Sequence, residues 1–287
     1  MGSLIGGIGS SHAPSIAFAF DAGHQEQAAW KPFFDSYIPV KAWLREMRAD
    51  ILVIIYNDHL NNFQLDTYPT FAIGLADSFA IADEGKGARP FPAVPGDATF
   101  AAYLARRLVA DEFDLTFCQE MALDHGVMSI LPLVVDPPWP CRVVPIAANV
   151  IVEPLPSPLR CWRMGESIGR AIEAYDEDVR VVVMATGGLS HQLHGRSFGF
   201  VNPEWDNRFL DLLEAEPHRL ARASHDDFIQ RGGAESVEMM LWLTMRGALS
   251  AQGGTLRRIQ RNYHAPLLTG YGLLAYELAQ EAVENAA

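Results

Sequence analysis

Three apolar runs, at residues 4–8, 51–56 and 179–184, each read as a strand buried on both faces, because none shows the polar alternation of a half-exposed strand. Each is followed within a few residues by a histidine: His12, His59 and His191. Between them, residues 25–48 place Trp30, Phe33, Phe34, Tyr37, Val40, Trp43, Leu44 and Met47 at three- and four-residue steps. That spacing predicts amphipathic helix, broken into two pieces at Pro39. Further strands are expected at 68–75, 113–118 and 142–151. Helices are expected from Asp97, as N-cap, to about Ala110, and at 164–175, 204–213, 218–230, 234–246 and 272–284. Segment 83–97 holds Gly85, Gly87, Pro90, Pro92, Pro95 and Gly96 and reads as a long loop.

Strands alternating with helices predict an α/β fold, a single domain over residues 1–287 with a central, mostly parallel or mixed sheet flanked by helices. Ligands of such sheets bind outside the carboxyl ends of the strands, where the three histidines fall.

Composition narrows the class. With 287 residues, 49% hydrophobic and 20% charged, the chain has material for a large core. A formal charge of −13, with no basic run beyond Arg257, Arg258 and Arg261, excludes a nucleic-acid reader. No apolar stretch approaches the roughly 18 residues of a membrane span, and the N-terminus lacks a basic, cleavable leader pattern. Cys118, Cys141 and Cys161 form no metal-type pair and no even disulfide set, which fits a reducing cytoplasm.

Single residues admit bland explanations. A histidine after a strand is more often a cap or a surface residue than a ligand; three in one context carry more weight. Gly7-Ile-Gly9 lacks the third glycine and the acidic partner of a dinucleotide fingerprint, and Gly187-Gly188-Leu189-Ser190-His191 lacks the frame of a nucleophile elbow. His194, in a glycine-rich loop, is expected behind the ligands or facing substrate. Glu238 borders the apolar stripe Val237, Met240, Leu241 and Met245, where an unpaired carboxylate is costly and a metal or a salt bridge would relieve it. His24, His218 and His225 read as solvated, and His264 as a site-lining or turn residue.

Seven blocks then resemble the class III extradiol ring-cleaving dioxygenases, the family of the protocatechuate 4,5-dioxygenase β subunits. They are Ser10-Ser11-His12-Ala-Pro14, Tyr56-Asn57-Asp58-His59, Pro69-Thr-Phe-Ala-Ile-Gly74, Ala82-Asp-Glu-Gly85, Asp124-His125-Gly126, Thr186-Gly-Gly-Leu-Ser-His191-Gln-Leu193, and Glu235-Ser-Val-Glu238 through Met245-Arg-Gly-Ala248. The resemblance implies Fe(II) on His12, His59 and Glu238, a facial triad leaving open positions for catechol and O2. It implies His191 as acid/base and His125 as a hydrogen-bonding catalytic residue, with cleavage beside the hydroxyls of a catecholic acid such as protocatechuate or gallate to a muconic semialdehyde. It also implies a separate small helical α subunit, in an assembly such as α2β2. In the related substrate-carboxylate pair this chain carries Leu268 and Thr269; Leu268 donates no hydrogen bond, which disfavours protocatechuate. A less polar catechol, a zinc hydrolase on the same ligands and a non-enzymatic member of the fold are the rival readings.

Overall fold

In the computed structural model, which describes residues 1–279, the run Ile51–Tyr56 is a strand with every residue buried. Ile51, Val53 and Ile55 join one hydrophobic layer with Trp162, Ile168 and Met245; Leu52, Ile54 and Tyr56 join the opposite layer with Phe33, Trp43 and Leu131. Successive side chains of a strand point to opposite faces, so a run apolar at every position requires helices on both sides.

The strands in chain order are β1 (Ser3–Ser10), β2 (Ile51–Tyr56), β3 (Phe71–Gly74), β4 (Ser78–Ile81), β5 (Val94–Pro95), β6 (Thr116–Cys118), β7 (Ala122–Leu123), β8 (Arg142–Ala148), β9 (Arg180–Thr186), β10 (Thr255–His264) and β11 (Tyr271–Ala279). Eight build the main sheet in the order β10-β11-β1-β9-β2-β8-β3-β6, and β5-β4-β7 form a small second sheet. The central four, β1, β9, β2 and β8, are mutually parallel, while β11 and β3 run antiparallel against its two sides. The expected α/β architecture is therefore present, with the ends of β1, β2 and β9 on one edge.

Several boundaries differ from expectation. Residues 272–279 are not helix but belong to β11; the rest of that expected helix, 280–284, lies outside the described residues. β11 sits between β1 and β10 with Leu273, Leu274, Ala275 and Tyr276 all buried, and a continuous apolar run carries no period to tell strand from helix. Its edge partner β10, rich in polar residues, was not expected at all. The expected helix 234–246 is a 3-10 segment, Ala234–Leu241, followed by an α-helix, Trp242–Ser250. The expected 218–230 divides into Pro217–Ala221 and His225–Gly232, the second started by a capping box between Ser224 and Asp227. Asp97 caps the helix Ala98–Ala110 as expected, accepting the Phe100 amide at 2.9 Å.

The helices Pro158–Glu173 and Trp242–Ser250 cross in contact because small residues meet there. A Cβ on Gly165 would collide with the Thr244 carbonyl, and one on Gly247 with the Trp162 carbonyl. The pair lies against β1, where Gly7 faces Met245 and Gly9 faces Trp242. Trp242 Nε1 donates to Gly187 O at 3.1 Å, which fixes the preceding 3-10 segment, and Glu238 with it, over the end of β9.

Candidate metal centre and active site

His12 leaves β1 two residues past its end and is buried. Its Nδ1 lies 3.0 Å from Thr186 Oγ1, and that hydroxyl donates to Gly126 O at 2.7 Å. With its single proton given to a carbonyl, Thr186 can only accept from His12, so Nδ1 is protonated and Nε2 carries the lone pair. Nε2 is buried, lacks a hydrogen-bond partner among the described residues, and stands 3.5 Å from Glu238 Oε2.

His59 follows β2 and is held by Asp124. One carboxylate oxygen accepts the His59 amide at 2.7 Å and pairs with Nδ1 at 3.0 Å; the other accepts Gly126 N at 2.8 Å. Asp58 shapes the next turn by accepting the amides of Asn61, Asn62 and Phe63. His59 Nε2 is thereby directed toward Asn57 Nδ2 at 2.9 Å and Glu238 Oε1 at 3.9 Å. Glu238 itself accepts Gly188 N at 2.6 Å and Asn57 Nδ2 at 3.3 Å. A side chain at Gly187 would meet the Glu238 backbone, so the glycine pair is what lets the carboxylate approach.

Charge is concentrated here. Burial disfavours the imidazolium of His12 and lowers its pKa. Burial also opposes charge on His59, but hydrogen bonds to Asp124 and Glu238 outweigh it and raise the pKa to about 10. Burial alone would raise Glu238; the two histidines reverse this and hold it well below the carboxylate range. A buried anion faced by two directed imidazole nitrogens is stabilised by a proton or a metal cation.

His125 begins the turn after Asp124 and stacks on His59. Its Nδ1 pairs with Glu84 at 2.5 Å, and Glu84 also accepts its amide at 3.0 Å. One ring nitrogen each from His12, His59 and His125 lies within 4.8 Å of the others. His191 is buried, and its Nδ1 donates to Leu189 O at 2.8 Å, leaving Nε2 as acceptor. Gly188 is wedged between His191 and Glu238: a Cβ there would lie 2.6 Å from His191 Cε1 and 3.2 Å from Glu238 Oε2. Gly233, at φ 95°, packs on the His191 carbonyl where a side chain would collide.

The structure thus gathers His12, His59, His125 and Glu238, with His191 beside them. Thr269 is buried and bridges to His191 through the backbone, while Leu268 is exposed and touches the Gly199 region. His194 is not brought in: its largely exposed ring pairs with Glu235 at 2.7 Å. Of the peripheral histidines, His218 is exposed as expected, with its ring against Trp162, whereas His225 is half-buried with Nε2 2.9 Å from Pro156 O. His264 ends β10, and its Nε2 lies 2.6 Å from Ala29 O. Sequence reasoning missed Thr186, Asp124 and Glu84 as orienting residues, although each lies inside a block quoted above.

The donor set fits a divalent metal. Two imidazole nitrogens with their opposite protons committed, one orphaned, converge with a carboxylate, and each histidine has its outer partner in place.

The chain is 42% identical over 207 residues to gallate dioxygenase of Pseudomonas putida, covering 71% of this chain and 59% of that protein. It therefore spans less than two thirds of that relative. A 2,3-dihydroxyphenylpropionate/2,3-dihydroxicinnamic acid 1,2-dioxygenase of Rhodococcus jostii is 28% identical over 257 residues, covering 74% of this chain and 80% of the relative. Among solved structures, an uncharacterized Escherichia coli K12 protein shares the fold at a TM-score of 0.58 and 14% identity, over 96% of this chain and 100% of its own. Residues 6–273 match the family described as the catalytic LigB subunit of aromatic ring-opening dioxygenase, and the chain belongs to that family.

Proposed function

We propose that this chain opens the ring of a catecholic aromatic acid beside its two hydroxyls, with O2 as co-substrate and Fe(II) held by His12, His59 and Glu238. The observation that carries the reading is the orphaned His12 Nε2, buried 3.5 Å from Glu238 and locked in one tautomer by Thr186. Bound there, Fe(II) would supply electron exchange with O2 and an anchor for the two substrate oxygens.

The remaining roles fall to the protein. His191 takes the proton of a catechol hydroxyl at Nε2 and later returns it, because Nδ1 is committed to Leu189 O. His125, its Nδ1 tied to Glu84, offers its other nitrogen to the reacting ring. Thr269, buried beside His191, is the polar group for a substrate substituent, and Leu268 adds an apolar wall. The likeness to gallate dioxygenase supports a gallate-type ring over protocatechuate.

A small helical companion chain is part of this proposal. Loop 192–200 and the turn 267–268 meet at Gly199 and Leu268, and they expose Leu193, Phe198, Phe200, Leu267 and Leu268 near His191. An exposed apolar rim of this kind supports a covering partner.

A second reading has one observation in its favour. The three-imidazole grouping of His12, His59 and His125 also suits zinc with an activated water. Anaerobic loading with Fe(II) or zinc, then oxygen uptake and product absorbance with gallate, protocatechuate and an O-methylated gallate, separates them. Oxygen consumption with Fe(II) alone supports the dioxygenase; tight zinc without oxygen uptake overturns it.

A further inference from the structure

Ser190, the residue before His191, is gripped by a carboxylate from another part of the chain. Asp206 projects from the helix Pro203–Ala215 and is fully buried. Its Oδ1 accepts Ser190 N at 2.8 Å; its Oδ2 accepts the Ser190 hydroxyl at 2.6 Å and the Tyr263 hydroxyl at 2.9 Å. Asn202, the N-cap of that helix, donates its amide to Ser190 Oγ at 2.7 Å, so Oγ accepts on one side and donates on the other.

The same carboxylate touches the turn between β10 and β11. A Cβ on Gly270 would collide with Asp206 Oδ2. Gly270 N donates to Ser190 O at 2.9 Å, Leu189 N donates to Gly270 O at 3.1 Å, and His191 bridges to Thr269. Asp206 therefore lies under the joint between the loop that carries His191 and the turn that carries Thr269.

His191 depends on this joint. Its ring is hydrogen-bonded to Leu189 O, two residues back along its own chain, so its direction follows from the backbone of residues 189–191. Ser190 is the middle of that span. Burying a carboxylate is costly even with three donors, and burial pushes the Asp206 pKa up against their opposing pull. An apolar residue would fill the space at less cost, but it would not fix both the amide and the hydroxyl of Ser190.

We propose that Asp206 is a positioning residue: through Ser190 it locks the His191 loop to the Thr269 turn and so sets His191 Nε2 against the substrate. This rests on the reading of His191 as the acid/base group. The test is a double-mutant cycle in the full chain loaded with Fe(II), with gallate as substrate and iron content measured on each variant. Ser190→Ala and Asp206→Asn are each expected to lower kcat by about 10- to 100-fold, with KM and iron content within about twofold. In a His191→Ala background, Ser190→Ala should change kcat by less than about twofold, because the group it positions is gone. The proposal is overturned if Ser190→Ala leaves kcat unchanged, costs the same factor with and without His191, or loses turnover in proportion to iron. Undiminished turnover in His191→Ala alone instead removes the acid/base reading, and the positioning role with it.

Discussion

His59 and His125 lie nearly face to face, with ring centroids 3.8 Å apart and planes tilted by 32°. The contact joins a residue directed at Glu238 to one tied to Glu84, so His125 has two separable duties: packing and hydrogen bonding. His125→Phe keeps the ring face and loses the nitrogens. It is expected to retain Fe(II) while kcat falls about 10- to 100-fold. His125→Ala also frees the His59 ring, and its Fe(II) dissociation constant should rise. Metal titration beside steady-state kinetics checks both.

Thr186 touches the proposed metal only through His12. Replacing it with valine removes the acceptor that fixes the His12 tautomer while keeping the shape. Loss of such an outer partner typically weakens metal binding about 10- to 100-fold. Competition against a chelator measures it, and unchanged affinity would mean that Thr186 does not set the tautomer.

His191 and Glu238 flank Gly188, yet their variants should behave differently. Glu238→Ala is expected to lose iron and activity together. His191→Ala should keep its iron and lose about 10²- to 10⁴-fold in kcat. Equal iron loss in the two would overturn the division of roles.

The cysteines give a test at alkaline pH. Burial pushes the Cys141 and Cys161 thiols up to about 12, and it raises half-buried Cys118 as well. A thiol whose pKa is raised in the fold contributes stability that is present below the unfolded value of about 8.5 and lost as pH rises through the folded one. At pH 8 both buried thiols therefore stay protonated in the fold and unreactive. Alkylation of the native protein followed by mass spectrometry should label Cys118 first and the other two only on unfolding.

The sequence made parts of this molecule readable for identifiable reasons. Runs such as Ile51–Tyr56 announce central strands because both faces are covered, and the histidines behind them inherit a common edge. β11 was misread as helix because it too is covered on both faces but ends in no marker. β10 escaped notice because Arg257, Arg258, Gln260, Arg261 and Asn262 lie on an edge strand, where polar groups are tolerated. The pairing of His194 with Glu235 on the surface is likewise not encoded by its closeness to His191 in sequence, because sequence proximity does not fix where a loop turns its side chains. Thr186, Asp206 and Glu84 act through partners 174, 16 and 41 residues away, distances that no local pattern encodes.

The turn bearing Leu268 and Thr269 belongs to the β10–β11 hairpin, whereas His12 and His59 follow β1 and β2 and Glu238 rides on the 3-10 segment. On the proposed reading, substrate preference would therefore drift by substitution at 268 and 269 without touching any proposed ligand. Gly270 is the boundary of that freedom, since a side chain there strikes Asp206. On that reading, one scaffold of this design would diversify over many aromatic rings while its ring-opening chemistry stays constant.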